Sequence, residues 1–236
     1  MKQIKKQKIA NYNKKSLNLK KLGDFYSINF AMKPHSNVDI MFYEVFFMIY
    51  SQAYGVYQQS RNASWQFLLD NKIDRLPVKL SSICRENNYI LCKDSKVHYL
   101  PPRQLGATFY ANSTWYIVFS DRISVQAQRY TIAHELGHIF LGHPLVDSKY
   151  GRTFADSPEE YQAERFAIDI LAPACVLWGL NLHSAEDIAR VCNISMTSAQ
   201  KRARRMEELY RRNMFLSHPL ERQVYQQFQS FIIENR

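Results

Sequence analysis

His134, Glu135 and His138, set in the run TIAHELGHIFLGHP, are the residues of this chain best spaced for chemistry. Residues four apart lie on nearly one face of a helix, so both histidines can offer a ring nitrogen to one tetrahedral zinc. Glu135 then stands beside the metal, placed to take a proton from water there. HExxH is short enough to occur by chance, so its surroundings decide. Ser124 can cap a helix start, and Gly142 followed by Pro144 supplies a stop. Between them Tyr130, Ala133, Leu136, Gly137, Phe140 and Leu141 cover one broad face, with Ile132 and Ile139 on the other. A helix apolar on both sides is usually buried, and two histidines and a carboxylate inside it need a partner. A metal ion is the simplest partner; histidines hydrogen-bonded within a core are the plain alternative.

A catalytic zinc needs a third protein ligand and an open fourth position. The long metzincin motif would place Gly at 141 and His at 144, where this chain has Leu141 and Pro144. His143 is one residue short of that spacing and reads as a histidine at the negative end of the helix dipole. A glutamate from a following helix, as in Glu-zincins, is the other source. Ser157-Pro158-Glu159-Glu160 opens such a helix, with Ala163, Phe166, Ala167, Ile170 and Leu171 as its apolar stripe. Ser157 with Glu160 is also a capping box. Periodicity does not choose between Glu159 and Glu160 as ligand.

HELGH followed by Glu160-Tyr161-Gln162-Ala163-Glu164-Arg165-Phe166-Ala167, ending at Leu171 and Pro173, resembles the ImmA/IrrE family of zinc metallopeptidases. Arg75-Leu76-Pro77-Val78-Lys79-Leu80 resembles the segment that begins the family's N-terminal region, so the likeness runs over roughly residues 65–212. It implies an α+β, zincin-like core of the Glu-zincin type with Zn2+ held by His134, His138 and Glu160. Glu164, where the family commonly has Asn or Asp, would orient a ligand histidine through its free ring N–H. Glu135 would be the general base and then the acid of peptide hydrolysis. Tyr130, Tyr150, Tyr161 and His183 could each stabilise the oxyanion, and the sequence selects none. The substrate implied is a protein, a helix-turn-helix repressor of a phage, mobile element or stress regulon.

Thr114-Trp115-Tyr116-Ile117-Val118-Phe119 reads as a strand, with Asn112-Ser113 as a turn after Thr108-Phe109-Tyr110. In zincins an edge strand beside the metal helix binds the substrate backbone, and residues 114–119 are the expected one. An ordinary sheet strand is the competing reading.

The remaining composition sets the frame. Hydrophobic residues make up 46% of the 236, which excludes a mostly disordered chain. Cys84, Cys92, Cys175 and Cys192 form no CxxC pair, as expected of reduced thiols in a cytoplasm. The net charge of +10 is concentrated in the lysine-rich residues 1–33, so 1–37 is expected to be a basic, disordered tail. Residues 40–57 are the most apolar run, but they are too short for a span and Glu44 interrupts them. Tyr43, Phe46, Phe47, Tyr50, Tyr54 and Tyr57 recur there at helical spacing, as in a helix packed on a core. No membrane contact is expected, and a soluble cytoplasmic protein is.

Residues 38–180 are read as the peptidase domain and 181–236 as a helical extension. Ser184–Val191, the turn Cys192-Asn193-Ile194-Ser195 and Thr197–Arg212 resemble a helix-turn-helix. Lys201, Arg202, Arg204, Arg205, Arg211 and Arg212 would then neutralise DNA phosphates. A helical hairpin packed on the peptidase is the favoured alternative. Two other functions stay open: a DNA-binding regulator with a structural zinc, and a catalytically silent zincin-fold binding protein. The final stretch, LERQVYQQFQSFIIENR, reads as one amphipathic helix.

Overall fold

Serine side chains begin the helices that matter most. Ser124 Oγ accepts from Ala127 N, Ser157 Oγ from Glu160 N, Ser184 Oγ from Asp187 N and Ser195 Oγ from Ser198 N. Each satisfies a backbone donor that the first helical turn leaves without a partner. The computed structural model describes residues 55–144 and 157–236. The tail at 1–37, most of the aromatic stripe at 43–57 and Tyr150 lie outside the described residues.

In chain order, helix α1 covers residues 55–70 and α2 Leu80–Glu86. Strand β1 (Ile90–Lys93), the one-turn helix α3 (Asp94–Val97), β2 (Gly106–Ala111) and β3 (Thr114–Phe119) follow. The HELGH helix is α4 (Val125–Phe140), and α5 (Pro158–Leu171) carries Glu160. Then come α6 (Ala174–Gly179), α7 (Ala185–Cys192), α8 (Met196–Arg211), α9 (Pro219–Gln227) and α10 (Gln229–Asn235). The architecture is α+β, a small mixed sheet among many helices, as expected.

Asn112 and Ser113 both have positive φ, 49° and 58°, the geometry of a two-residue hairpin turn between β2 and β3. The sheet order is β1-β3-β2, with β1 parallel and β2 antiparallel to β3. This corrects one expectation: residues 114–119 form the central strand, not an edge. Its backbone is engaged on both sides because the short Ile90–Lys93 segment pairs with it in parallel. The edge strand against α4 is β2 instead.

The core lies where α4, α5 and the sheet meet. Leu136, Phe166, Ala167, Ile170, Leu171 and Ile117 are each at most 1% exposed, so the apolar stripe read for α5 is the buried one. Phe67 of α1 packs edge-on against both Phe140 and Phe166, with centroids 5.3 Å apart in each case. Gly137 lets α4 and α5 close up, since a Cβ there would sit 3.1 Å from Phe166 Cδ1 and 3.2 Å from Ala163 Cα. The glycine of HELGH is thus a packing requirement, and it brings Glu160 within reach of the histidines.

Past residue 180 the same buried cluster continues through Ile188, Cys192, Ile194, Ala199 and Met206. Asn193 takes the left-handed conformation expected of it, φ 50°, between α7 and α8. Arg129 of α4 holds this turn in place: its guanidinium donates to the carbonyls of Val78, Cys192 and Asn193. On α8, Lys201, Arg204 and Arg211 are exposed, but Arg202 is buried and Arg205 is half-buried, bonded to Tyr57 and Glu208. Two of the six basic residues expected to meet phosphates therefore point inward. The final stretch is two helices, broken at Phe228, whose buried ring and backbone (φ −87°, ψ 2°) end one helix and begin the next. Gln227 donates to the carbonyls of Leu68 and Ile73, fastening this end to α1. None of the described helices is long and apolar enough to cross a membrane.

Candidate metal centre

One turn of α4 brings His134 and His138 onto a common face, with ring centroids 4.7 Å apart. Their Nε2 atoms lie 3.0 Å from each other. Glu160 Oε2 is 3.1 Å from His134 Nε2, and Glu160 Oε1 is 3.6 Å from His138 Nε2. Ligand atoms about 2.0–2.1 Å from a tetrahedral zinc are separated by roughly 3.3 Å. The three side chains already stand at that spacing. Burial alone would raise Glu160's pKa, but hydrogen bonds with His134 and His138 outweigh it and hold the carboxyl well below its ordinary range.

The two glutamates that periodicity could not separate occupy different places. Ser157's hydroxyl and the backbone amide of Glu159 itself hold the Glu159 carboxylate, the backbone contribution being the larger. The cap is thus served by Glu159, and Glu160 contributes only its backbone N–H to Ser157. That leaves the Glu160 carboxylate to face the histidines.

The proton pattern behind His138 also suits a metal. His138 Nδ1 lies 2.9 Å from His143 Nδ1, and His143 Nε2 lies 2.9 Å from Gln162 Oε1. A carbonyl oxygen only accepts, so His143 Nε2 carries the proton and, in neutral His143, Nδ1 is the acceptor. His138 must then donate from Nδ1, which leaves its Nε2 lone pair directed at His134 and Glu160. Gln162 Nε2 passes the chain on to Gln59 Oε1 over 3.2 Å, and Ser60 Oγ donates to Gln162 O over 2.7 Å.

His143, read from sequence as a helix-end residue, therefore sets the ring orientation of His138. The only sequence signal was its place five residues after His138, and Gln162 gave none. Glu164 does not orient a ligand histidine as expected. His138 Nδ1 is met by His143, while His134 Nδ1 is buried without a hydrogen-bond partner. One turn beyond Glu160, Glu164 instead lies near the Tyr130 phenol, whose pKa is pushed up by burial and by the charges of Glu164 and Glu160.

Glu135 is 4% exposed and meets the edge strand. Thr108 Oγ1 donates to Glu135 Oε2 over 2.6 Å. Gly106 permits this approach, since a Cβ there would lie 2.8 Å from Glu135 Oε1 and 2.5 Å from Thr131 Cγ2. Neither Thr108 nor Gly106 was singled out from sequence as a site residue. Among the described oxyanion candidates, only Tyr130 stands beside the centre, its ring 6.3 Å from that of His134. Tyr161 sits with Arg165 and Tyr57, and His183 stacks on Tyr210.

Helix, edge strand and glutamate helix thus enclose three converging side chains able to hold a metal and one restrained carboxylate. Residues 93–204 match the family model of peptidase M78, described as the IrrE N-terminal-like domain. The chain carries a peptidase M78 domain. The matched stretch contains β2, β3, HELGH and the Glu160 helix, and it runs on into α8. It starts after the Leu76-Pro77-Val78 segment that sequence likeness had included. A comparison with curated proteins finds no match. The M78 domain and the His134–His138–Glu160 cluster together make this a metallopeptidase-type site.

Proposed function

We propose that the chain is a zinc-dependent endopeptidase, with His134, His138 and Glu160 as metal ligands and Glu135 as the catalytic base. The observation that carries this is the convergence of two Nε2 atoms and a carboxylate within 3.0–3.6 Å, beside a buried glutamate held by Thr108. Bound zinc supplies Lewis acidity towards the attacking water and the scissile carbonyl. Glu135 takes the water's proton as the new C–O bond forms, and later gives it to the leaving amine as the peptide C–N bond breaks. Tyr130 is the side chain placed to donate to the oxyanion.

The substrate backbone lies along β2. Among the described residues this strand pairs only with β3, so its outer backbone groups can pair with an extended peptide. Gly106 and Thr108 touch Glu135 from the same strand, so a peptide added there runs past the base. In keeping with the ImmA/IrrE likeness, the substrate is a transcriptional repressor whose cleavage releases its promoter.

Co-expression with candidate helix-turn-helix repressors from the same genome tests this reading. A site-specific cut should appear with the natural chain and vanish with Glu135→Gln, which should still bind about one zinc per chain. Cleavage that persists in Glu135→Gln overturns the mechanism.

A further inference from the structure

On the far side of α5 from the metal centre, Tyr57 and five arginines line a cavity of about 60 Å³: Arg61, Arg165, Arg202, Arg205 and Arg212. Glu160 and Asp169 are nine residues apart on this helix, about 180° around it, so the two places are separate. A water needs roughly 10–15 Å³ by the same measure, so the cavity has room for several waters or one tetrahedral anion.

Its charge is out of balance. Among the described residues, the guanidinium groups of Arg61, Arg165, Arg202 and Arg205 face two wall carboxylates, Asp169 and Glu221, while Glu208 pairs with Arg205 from beside the cavity. Asp169 is shared, accepting from Arg165 Nε over 3.0 Å and from Arg202. Glu221 accepts from the backbone N–H of Ser217, and burial pushes its carboxyl up. Arg165 and Arg205 both donate to the hydroxyl of Tyr57, which has no full charge to return. Arg202 is only 2% exposed. The Nε atoms of Arg61, Arg202 and Arg205 are buried with no hydrogen-bond partner. Buried excess charge and unpaired donors are costly unless an anion compensates them.

We infer that this cavity binds a phosphate-type oxyanion, free or as the phosphomonoester of a small molecule. A guanidinium with Nε unpaired keeps one edge of its fork for two oxygens of such a group, the pairing arginine makes best. Arg61 lies over the Trp65 ring at 4.7 Å and makes a 3.4 Å contact with neighbouring Asn62, which leaves its Nε free to donate. The cavity borders α1, whose Gln59 and Ser60 hold Gln162 behind the metal ligands. An anion seated there braces the helix that supports the centre.

The test is calorimetric titration of the full-length chain with inorganic phosphate and, separately, with a nucleoside monophosphate, at matched chloride ionic strength. Chelator-treated protein is used, so that no metal contributes and the result stands apart from the peptidase reading. Saturable binding is expected, and Arg61→Gln and Arg205→Gln should each weaken it about tenfold, the worth of one charge-assisted hydrogen bond. Arg204→Gln, on the exposed face of α8, should leave it unchanged. Tighter binding of the nucleotide identifies a phosphomonoester, and equal binding identifies the free anion. Absence of saturable binding, or binding that both cavity variants retain in full, overturns the inference. So does phosphate displaced by duplex DNA, which would make the cavity a nucleic-acid contact.

Discussion

Thr108 donates its hydroxyl proton to Glu135 over 2.6 Å, and this bond joins the edge strand of the sheet to the HELGH helix. The bond fixes where the carboxylate sits relative to both a peptide on β2 and the metal ligands. Thr108→Val keeps the shape and removes the donor. A hydrogen bond to a charged group contributes roughly 1.5–3 kcal/mol, so kcat should fall at least about tenfold with zinc content unchanged. Thr108→Ser should recover most of the loss. Full activity in Thr108→Val would remove Thr108 from the positioning machinery.

His143 should matter to metal retention although it is no ligand. His143→Phe deprives His138 Nδ1 of its acceptor, and losses of this kind weaken metal binding by roughly 10–100-fold. Competition for zinc against a coloured chelator reads this directly. Gln162→Leu should move the affinity the same way by less. Unchanged affinity in His143→Phe would return that residue to a helix-end role.

The two neighbouring glutamates divide cleanly. Glu160→Ala should lose the metal, whereas Glu159→Ala should keep it and cost only part of the Ser157 cap, on the order of 1 kcal/mol. Metal analysis of the two purified variants decides, and the opposite pattern would reassign the ligand.

Gly137→Ala adds a methyl group where Phe166 and Ala163 already stand at 3.1–3.2 Å. Overpacking of this kind costs typically about 1–3 kcal/mol, and denaturant unfolding should show it. Because the shift separates α4 from α5, metal affinity should fall with it. A variant as stable as the natural chain would show that the two helices can part freely.

Asp169 should shape the acid limit of stability. Burial would raise its pKa, but Arg165 and Arg202 outweigh burial and hold it below its ordinary value. A carboxyl depressed in the folded state stabilises above its unfolded pKa, about 3.9. That contribution is lost as pH falls through the folded value. Asp169→Asn should therefore lose roughly 3–5 kcal/mol at neutral pH and decline less steeply below pH ~4. Melting curves across that range check both parts, and an equally steep decline would point to other carboxylates.

Local features were legible in the sequence because their causes are local. Ser124 and Ser157 cap helices by side-chain chemistry, Asn112-Ser113 turns a hairpin, and the α5 stripe follows from helical spacing. The histidine spacing is likewise a property of one helix. What depended on pairing between distant segments was not legible. Strand β1 is four residues without a usable period, yet its pairing makes β3 central and leaves β2 as the edge. His143 holds the place expected of Glu164 because the end of α4 reaches His138 Nδ1, while Glu164 lies near Tyr130. Arg202 and Arg205 read as solvent-facing cations until Asp169 and Tyr57, far off in sequence, were placed against them.

The proton chain from His138 through His143 and Gln162 stops at Gln59, on a helix that holds no ligand. Every link donates in the same direction, so a break at any point lets the group before it turn. The speed at which a chelating dye strips a metal loaded into the site is therefore a clock for the seating of α1, readable without a substrate.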